Sequence, residues 1–169
     1  MDCEPMRIHV DPKAKPQAVH RPTQVPIHWK EPVSAQLKKD LARGVIEKDP
    51  MGVPSVWQAV IVFAAKEDGS PRRTVNLSYL NKHCDRETQP VVTPYKQARI
   101  VPANTYKTVC DADYGYHACP LHVDDRTYTI FVTEEGRFQY RVIPQGFFCV
   151  RRRLQSEIRQ ADRGYGKED

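Results

Sequence analysis

Apolar residues recur every four positions across residues 31–43, where Val33, Leu37 and Leu41 share one face. Pro32 suits a first helical turn and Gly44 the position just past the end, so the spacing predicts a helix. Val45-Ile46-Glu47-Lys48 follows as a short strand stopped by Pro50. Residues 57–66 form a mostly apolar, strand-like run. Glu67-Asp68-Gly69-Ser70 is a turn, with Asp-Gly its strongest signal, and residues 72–77 return as the second strand of a hairpin. Thr93-Pro94 reads as an N-cap and first helical position, opening a short helix towards Ile100. Residues 106–111 read as a strand. Residues 127–133 alternate as a strand, turn at Glu134-Glu135-Gly136, and return over 138–143. Residues 151–162 are helix-compatible, with Leu154, Ile158 and Ala161 on one side, and 163–169 form a polar, frayed tail.

Ahead of the first helix, Pro5, Pro12, Pro16, Pro22, Pro26 and Pro32 account for six of the 14 prolines. Such a segment is extended and wraps a surface, pinned by Val19, Val25, Ile27 and Trp29. The order of helix, hairpin, helix, strand, hairpin and helix predicts an α+β fold. The expected division is a Pro-rich lead-in over 1–30, one lobe over 31–104, a second over 105–150, and a terminal helix or tail over 151–169.

Composition narrows the class. A chain of 169 residues with 40% hydrophobic content can build a real core. No apolar run approaches the roughly 18 residues that would suggest a membrane span, and residues 1–15 show no apolar signal region. Cysteines at 3, 84, 110, 119 and 149 form no CxxC pair, which argues against a zinc ribbon and for reduced thiols. Cys110 fits a small buried hydrophobe. An intracellular protein, in cytoplasm or nucleus and not secreted, is expected. Net charge of +5 and a pI near 9.0 favour a polyanionic partner.

The densest candidate chemistry is "VCDADYGYHACPLHVDD", residues 109–125. Asp111 follows a buried-looking strand, and Asp113 would share its face. A carboxylate at such a strand end either meets a cation, as in Mg²⁺ sites for phosphate chemistry, or caps a turn. His117 and His122 lie five apart with Cys119 and Pro120 between them, a poor zinc spacing, so surface or packing roles are expected. Adjacent Asp124 and Asp125 would point to opposite faces of a strand and are expected in a solvated turn.

Four blocks in order then carry a resemblance: "LARGVIEKDP", "AVIVFAAKEDGSPRRTVNLSYLNK", "KTVCDADYGYHACPL" and "TIFVTEEGRFQYRVIPQGF". Together, over residues 30–147, they resemble the fingers and first half of the palm of a reverse transcriptase of the Ty3/gypsy-like long-terminal-repeat retrotransposon kind. The fold implied is a partial right-hand polymerase, with antiparallel hairpins and packed helices. Asp111 would match the first catalytic aspartate, with Asp111 and Ala112 at the Mg²⁺ position. Tyr116 would match the aromatic gate that selects deoxynucleotides. Lys66 and Arg72 would match the fingers cations on the incoming triphosphate, and Gln145 and Gly146 the motif lining the nucleotide pocket. Without the resemblance, Lys66 and Arg72 read as a solvated hairpin tip, Tyr116 as core packing or a site residue, and Gln145-Gly146 as a plain loop.

The resemblance implies RNA-directed DNA polymerase chemistry, with a template-primer of RNA or DNA and a deoxynucleoside triphosphate as partners. The chain departs from the pattern in four respects. Asn76 stands where an aspartate is common, and Ser78 where an arginine often sits. "FFCVRRRLQSEI" is unlike the small-residue stretch usual after Pro-Gln-Gly, and no Tyr-x-Asp-Asp-like hairpin follows it. One carboxylate cannot hold two close metals for in-line transfer, so a catalytically incomplete fragment is expected. The alternative is a non-catalytic nucleic-acid-binding module, served by Arg151, Arg152, Arg153, Arg159 and Arg163.

Overall fold

A computed structural model of the chain describes residues 4–50, 53–85, 94–102, 104, 106 and 115–148. Helix α1 (Lys30–Ala42) buries Val33 and Leu37. It ends as its sequence demands: Gly44 takes φ +69°, a conformation that disfavours a side chain. Its N–H donates to the Leu41 carbonyl (3.1 Å) and that of Val45 to the Asp40 carbonyl (2.9 Å). This reciprocal pattern closes the helix and turns buried Val45 inward. The chain enters β1 (Ile46–Lys48) directly.

The expected first hairpin is β2 (Ala59–Ala65) and β3 (Pro71–Val75), antiparallel with Ile61 opposite Val75 and Ala65 opposite Pro71. Its turn is held locally. Lys66 N–H donates to the Ser70 carbonyl (2.9 Å), Gly69 has φ +74°, and Asp68 Oδ1 accepts from the Ser70 amide (2.9 Å) and hydroxyl (2.6 Å). Those Ser70 bonds hold the Asp68 carboxyl below its ordinary pKa. Trp29 Nε1 donates to the Gly69 carbonyl (3.3 Å), tying the turn to the start of α1. The strands assemble in the order β1-β5-β4-β2-β3, with β4 (Phe131–Thr133) parallel to β2 and β5 (Gly136–Tyr140) antiparallel to both β4 and β1. Strands from either side of residues 90–105 therefore share one sheet. Phe131 and Phe138 stack at 5.8 Å on this sheet beside Leu37, Ile46, Leu121 and Ile143, all nearly fully buried.

A short helix, α2 (Ser78–Lys82), was not anticipated from the pattern. Its signal lies in Asn76, whose Oδ1 accepts from the Ser78 amide (3.1 Å) and the Ser78 hydroxyl, a side-chain turn that starts a helix. Helix α3 (Pro94–Ile100) lies where Pro94 placed it. Residues 107–111 of the expected strand, Cys110 among them, and the terminal helix over 151–162 fall outside the described residues.

The second hairpin needs correction. Residues expected to open a strand at 127 instead form a 3-10 helix, Val123–Thr129, and the strand begins only at Phe131. Local bonds compete with the ladder: the Asp125 amide donates to the His122 carbonyl (3.0 Å), Thr127 Oγ1 to the Asp124 carbonyl (3.3 Å) and Thr129 Oγ1 to the Arg126 carbonyl (2.7 Å). The returning strand ends at Tyr140, short of the expected Ile143, and the Arg141 amide adds one more bond in register with β1, to the Val45 carbonyl (2.9 Å).

The solvated-turn expectation for Asp124 and Asp125 holds only for Asp124. Asp125 is 4% exposed and accepts from the Ile8 amide (2.8 Å) and from Arg7 Nε (2.9 Å). Asp124 stays exposed and pairs with Arg7 Nη1 (3.1 Å). Asp125 is thus the anchor of the N-terminal segment, which is stitched on further by Met6 to Pro120 and by Val19 to Gln58 backbone bonds (both 2.9 Å). Its deepest pins are Met6 and Ile8, not the expected Ile27, which is 89% exposed; Val25 and Trp29 are partly buried against the core. Proline spacing marked the segment as extended but gave no face, so the buried residues could not be picked out. Asp125→Ala leaves the Ile8 N–H buried without its acceptor. A loss of about 2–3 kcal/mol is expected in urea unfolding, with faster proteolysis within residues 4–20. A loss below about 0.5 kcal/mol, the scale of ordinary surface changes, would show that the carboxylate does not anchor the segment.

Candidate functional site

Three of the residues singled out above meet. Lys66 at the hairpin turn, Arg72 on β3 and Gln145 in the turn after β5 line one cavity of about 380 Å³. All three side chains are exposed to it or to solvent. The turn that carries Gln145 is fixed by its neighbours. The Phe147 amide donates to the Pro144 carbonyl (3.3 Å), and Gly146 takes φ +99°, where a β-carbon would be strained. Asn81 on α2 clamps that turn: its Nδ2 donates to the Gly146 carbonyl (2.9 Å), and its Oδ1 accepts from the Phe148 amide (3.3 Å). Gly146 therefore shapes the cavity margin without lining it. The unpredicted helix is what carries the clamp.

Tyr116 lies in the 3-10 helix Gly115–Ala118, next to His117, which lines the cavity; its side chain is outside the described part. Asp111 and Ala112 fall outside the described residues altogether. Among the described residues, no group of three histidine, cysteine, aspartate or glutamate side chains could hold a metal ion. The cavity's described carboxylate, Asp40, is taken up by Arg73. The described residues of the cavity therefore supply cations, and the fit of a Mg²⁺ ion rests on Asp111.

The opposite wall comes from α1. Gln36, Asp40 and Arg43, with Lys39, fall at spacings of three and four, so they share a helical face. That face turns towards β3, where Gln36 Nε2 donates to the Pro71 carbonyl (3.1 Å). Adjacent Arg72 and Arg73 project to opposite faces of the strand. Arg72 is exposed, while the Arg73 side chain is 6% exposed, paired with Asp40, and 5.8 Å from the centroid of the Phe131 ring. Sequence reasoning missed Lys39, Arg43 and Arg73. The polar stripe beside Val33 and Leu37 was the signal for Lys39 and Arg43.

Among the described lining residues, Lys39, Arg43, Lys66, Arg72 and Arg73 stand beside the carboxylate of Asp40. Burial pulls the His117 pKa below its ordinary value; Asp40 opposes this, and Arg73 and Arg43 reinforce it. His122 caps the 3-10 helix Val123–Thr129 and sits 2.8 Å from Arg7 Nη1. Tyr140, fully buried beside the cavity, has its phenol pKa raised by that burial, with Arg73 opposing.

No protein-family model matches the chain. Solved structures match its fold closely. The prototype foamy virus protease-reverse transcriptase aligns with a TM-score of 0.83 at 16% identity, over 96% of this chain and 21% of that one. The foamy viral protease-reverse transcriptase bound to double-stranded DNA gives 0.76 at 21% identity, over 98% and 28%. The same kind of protein with an RNA/DNA hybrid gives 0.78 at 17% identity, over 98% and 21%. This chain thus spans about a fifth to a quarter of their length. The expected α+β, partial right-hand polymerase fold is observed, and its likeness is to retroviral reverse-transcriptase structures.

Proposed function

We propose that the chain is the fingers and first palm portion of an RNA-directed DNA polymerase of retroelement origin, of the Ty3/gypsy-like kind its sequence blocks resemble. The single observation that carries this reading is that Lys66 and Arg72 of the first hairpin and Gln145, distant from both in sequence, line one cavity rich in cations among its described residues. In this reading the cavity receives the triphosphate of a deoxynucleotide. Arg72 meets phosphoryl oxygens with its planar fork, and Lys66 acts as a point charge. Gln145 and the Gly146 turn, held by Asn81, set the pocket margin, and Tyr116 gates against a ribose 2′-hydroxyl. Asp111, with Ala112, would hold Mg²⁺, which when bound neutralises charge developing on the phosphoryl oxygens. The partner is a template-primer duplex, as in the DNA and RNA/DNA hybrid complexes of the structural neighbours. With Asp111 as its one catalytic carboxylate, this chain alone is expected to bind nucleic acid without extending a primer.

Two measurements test the reading. Filter binding of a primer-template should give an affinity that falls steeply as salt rises; absence of binding at low salt would overturn the polymerase reading. Primer extension with Mg²⁺ should give no product. Extension by the purified chain that disappears in Asp111→Asn would overturn the incompleteness while confirming the metal ligand.

A further inference from the structure

Helix α1 and strand β3 run side by side and are fastened in step. Trp29 Nε1 donates to the Gly69 carbonyl (3.3 Å), Gln36 Nε2 donates to the Pro71 carbonyl (3.1 Å), and Arg73 pairs with Asp40. Trp29, Gln36 and Asp40 are spaced by seven and four, which puts them on one side of the helix. The lengths agree as well. The chain climbs about 16 Å from Trp29 to Asp40 at helical rise and about 13 Å from Gly69 to Arg73 at strand rise. Gln36, Asp40 and Arg73 line the cavity, whereas Trp29 does not. Its bond therefore acts on the hairpin and not on whatever enters.

Trp29 grips the end of the hairpin that carries Lys66. The carbonyl it bonds belongs to Gly69, whose own amide donates to the Lys66 carbonyl (2.9 Å). The Lys66 amide in turn donates to the Ser70 carbonyl (2.9 Å). Trp29 is itself held: its amide donates to the Pro26 carbonyl (2.8 Å), and its ring is half-buried against the core. Lys30, the next residue, pairs with Glu134 (3.3 Å) at the β4–β5 turn. A solvent-exposed turn opens readily on its own, and an anchored donor on one of its carbonyls removes part of that freedom. A cation acts better on a ligand when its place is fixed before the ligand arrives.

We propose that Trp29 is a positioning residue, which through Gly69 holds the hairpin tip and so keeps Lys66 at the cavity rim. The inference rests on the assignment of the Lys66–Arg72 rim to a nucleotide triphosphate.

Trp29→Phe keeps an aromatic ring and removes the donor. Hydrogen–deuterium exchange of the full chain, without nucleotide, should show the Gly69 and Lys66 amides losing protection about threefold to tenfold, the scale of one net hydrogen bond. The melting curve should stay close to that of the parent chain. Deoxyadenosine triphosphate, titrated calorimetrically at low salt with EDTA, should bind about threefold to tenfold more weakly by the same scale. On a Lys66→Ala background the same substitution should change affinity less than about twofold, because the group it positions is gone. A tryptophan with a structural role alone would act equally on both backgrounds. Unchanged protection at Gly69 and Lys66, or equal weakening on both backgrounds, would overturn the inference. So would lost protection with triphosphate affinity intact while Lys66→Ala/Arg72→Ala still weakens binding. Lost protection with binding indifferent to Lys66→Ala/Arg72→Ala would keep the latch on the turn and sink the nucleotide reading instead.

Discussion

Asp40→Ala is expected to cost the fold about 3–5 kcal/mol, the range for removing one partner of a buried ion pair. The Arg73 side chain is 6% exposed and that of Asp40 19%. Without Asp40 the guanidinium stays buried, under the Phe131 ring and beside Tyr140, with no counter-charge among the described residues of the cavity. A loss of that size is a large part of the 5–15 kcal/mol that stabilises an ordinary domain. Urea unfolding should show a lower midpoint with an unchanged slope. The companion experiment is Asp40→Leu/Arg73→Met. Replacing both charges by apolar groups against Phe131 and Tyr140 should restore stability to within about 1–2 kcal/mol of the parent, since buried ion pairs are rarely worth more than a good apolar contact. A loss below about 1 kcal/mol for Asp40→Ala would mean that cavity water solvates Arg73, and the pair would then have no structural role.

If Asp40→Leu/Arg73→Met folds well, the ion pair is retained for something other than stability. Within the cavity the pair sets how much positive charge faces the centre. Asp40 neutralises the most buried of the described cations that line it, Arg73. The same carboxylate works against the pKa depression that burial imposes on His117. One aspartate therefore connects the stability of the α1–β3 contact to the electrostatics of the candidate site.

How far the sequence alone could be read depended on how local the determining interactions were. Helix α1 was legible because its apolar spacing and its Gly44 terminus are both short-range, and the β2–β3 hairpin because Asp68-Gly69 specifies its own turn. Residues 123–129 were misread because Thr127-Tyr128-Thr129 alternates like a strand, while hydroxyl and carboxylate bonds to nearby backbone decide otherwise. Asp125 was misplaced because its partners, Arg7 and Ile8, lie at the other end of the chain. At the site, Lys66, Arg72 and Gln145 were found through motif resemblance and not through periodicity. Lys39 lies outside the four blocks, and Arg43 and Arg73 lie within two of them with no role implied; only the packing of α1 across β3 brings all three to the cavity.

Lys66→Ala/Arg72→Ala is expected to weaken binding of a deoxynucleoside triphosphate by about a hundredfold at low salt, roughly tenfold for each charge-assisted phosphate contact. Both side chains are exposed, so the effect should shrink as salt screens them over a Debye length of about 10 Å at 0.1 M. The fold should be untouched. Lys66 contributes to its turn through the backbone amide, and Arg72 lies opposite Ala64 on the exposed face of β3. A matched melting curve would separate lost binding from lost structure. Gln145→Ala should act differently, because a neutral amide at the pocket margin positions a ligand more than it attracts one. Its effect should be smaller, about tenfold or less, and nearly independent of salt. Lys13→Ala, an exposed cation on the N-terminal segment, serves as the control for bulk charge. If Lys13→Ala weakens binding as much as the rim pair does, the nucleotide responds to net charge and not to this cavity. If the rim pair alone acts, with the salt dependence described, the hairpin rim is the triphosphate-binding element of the fold.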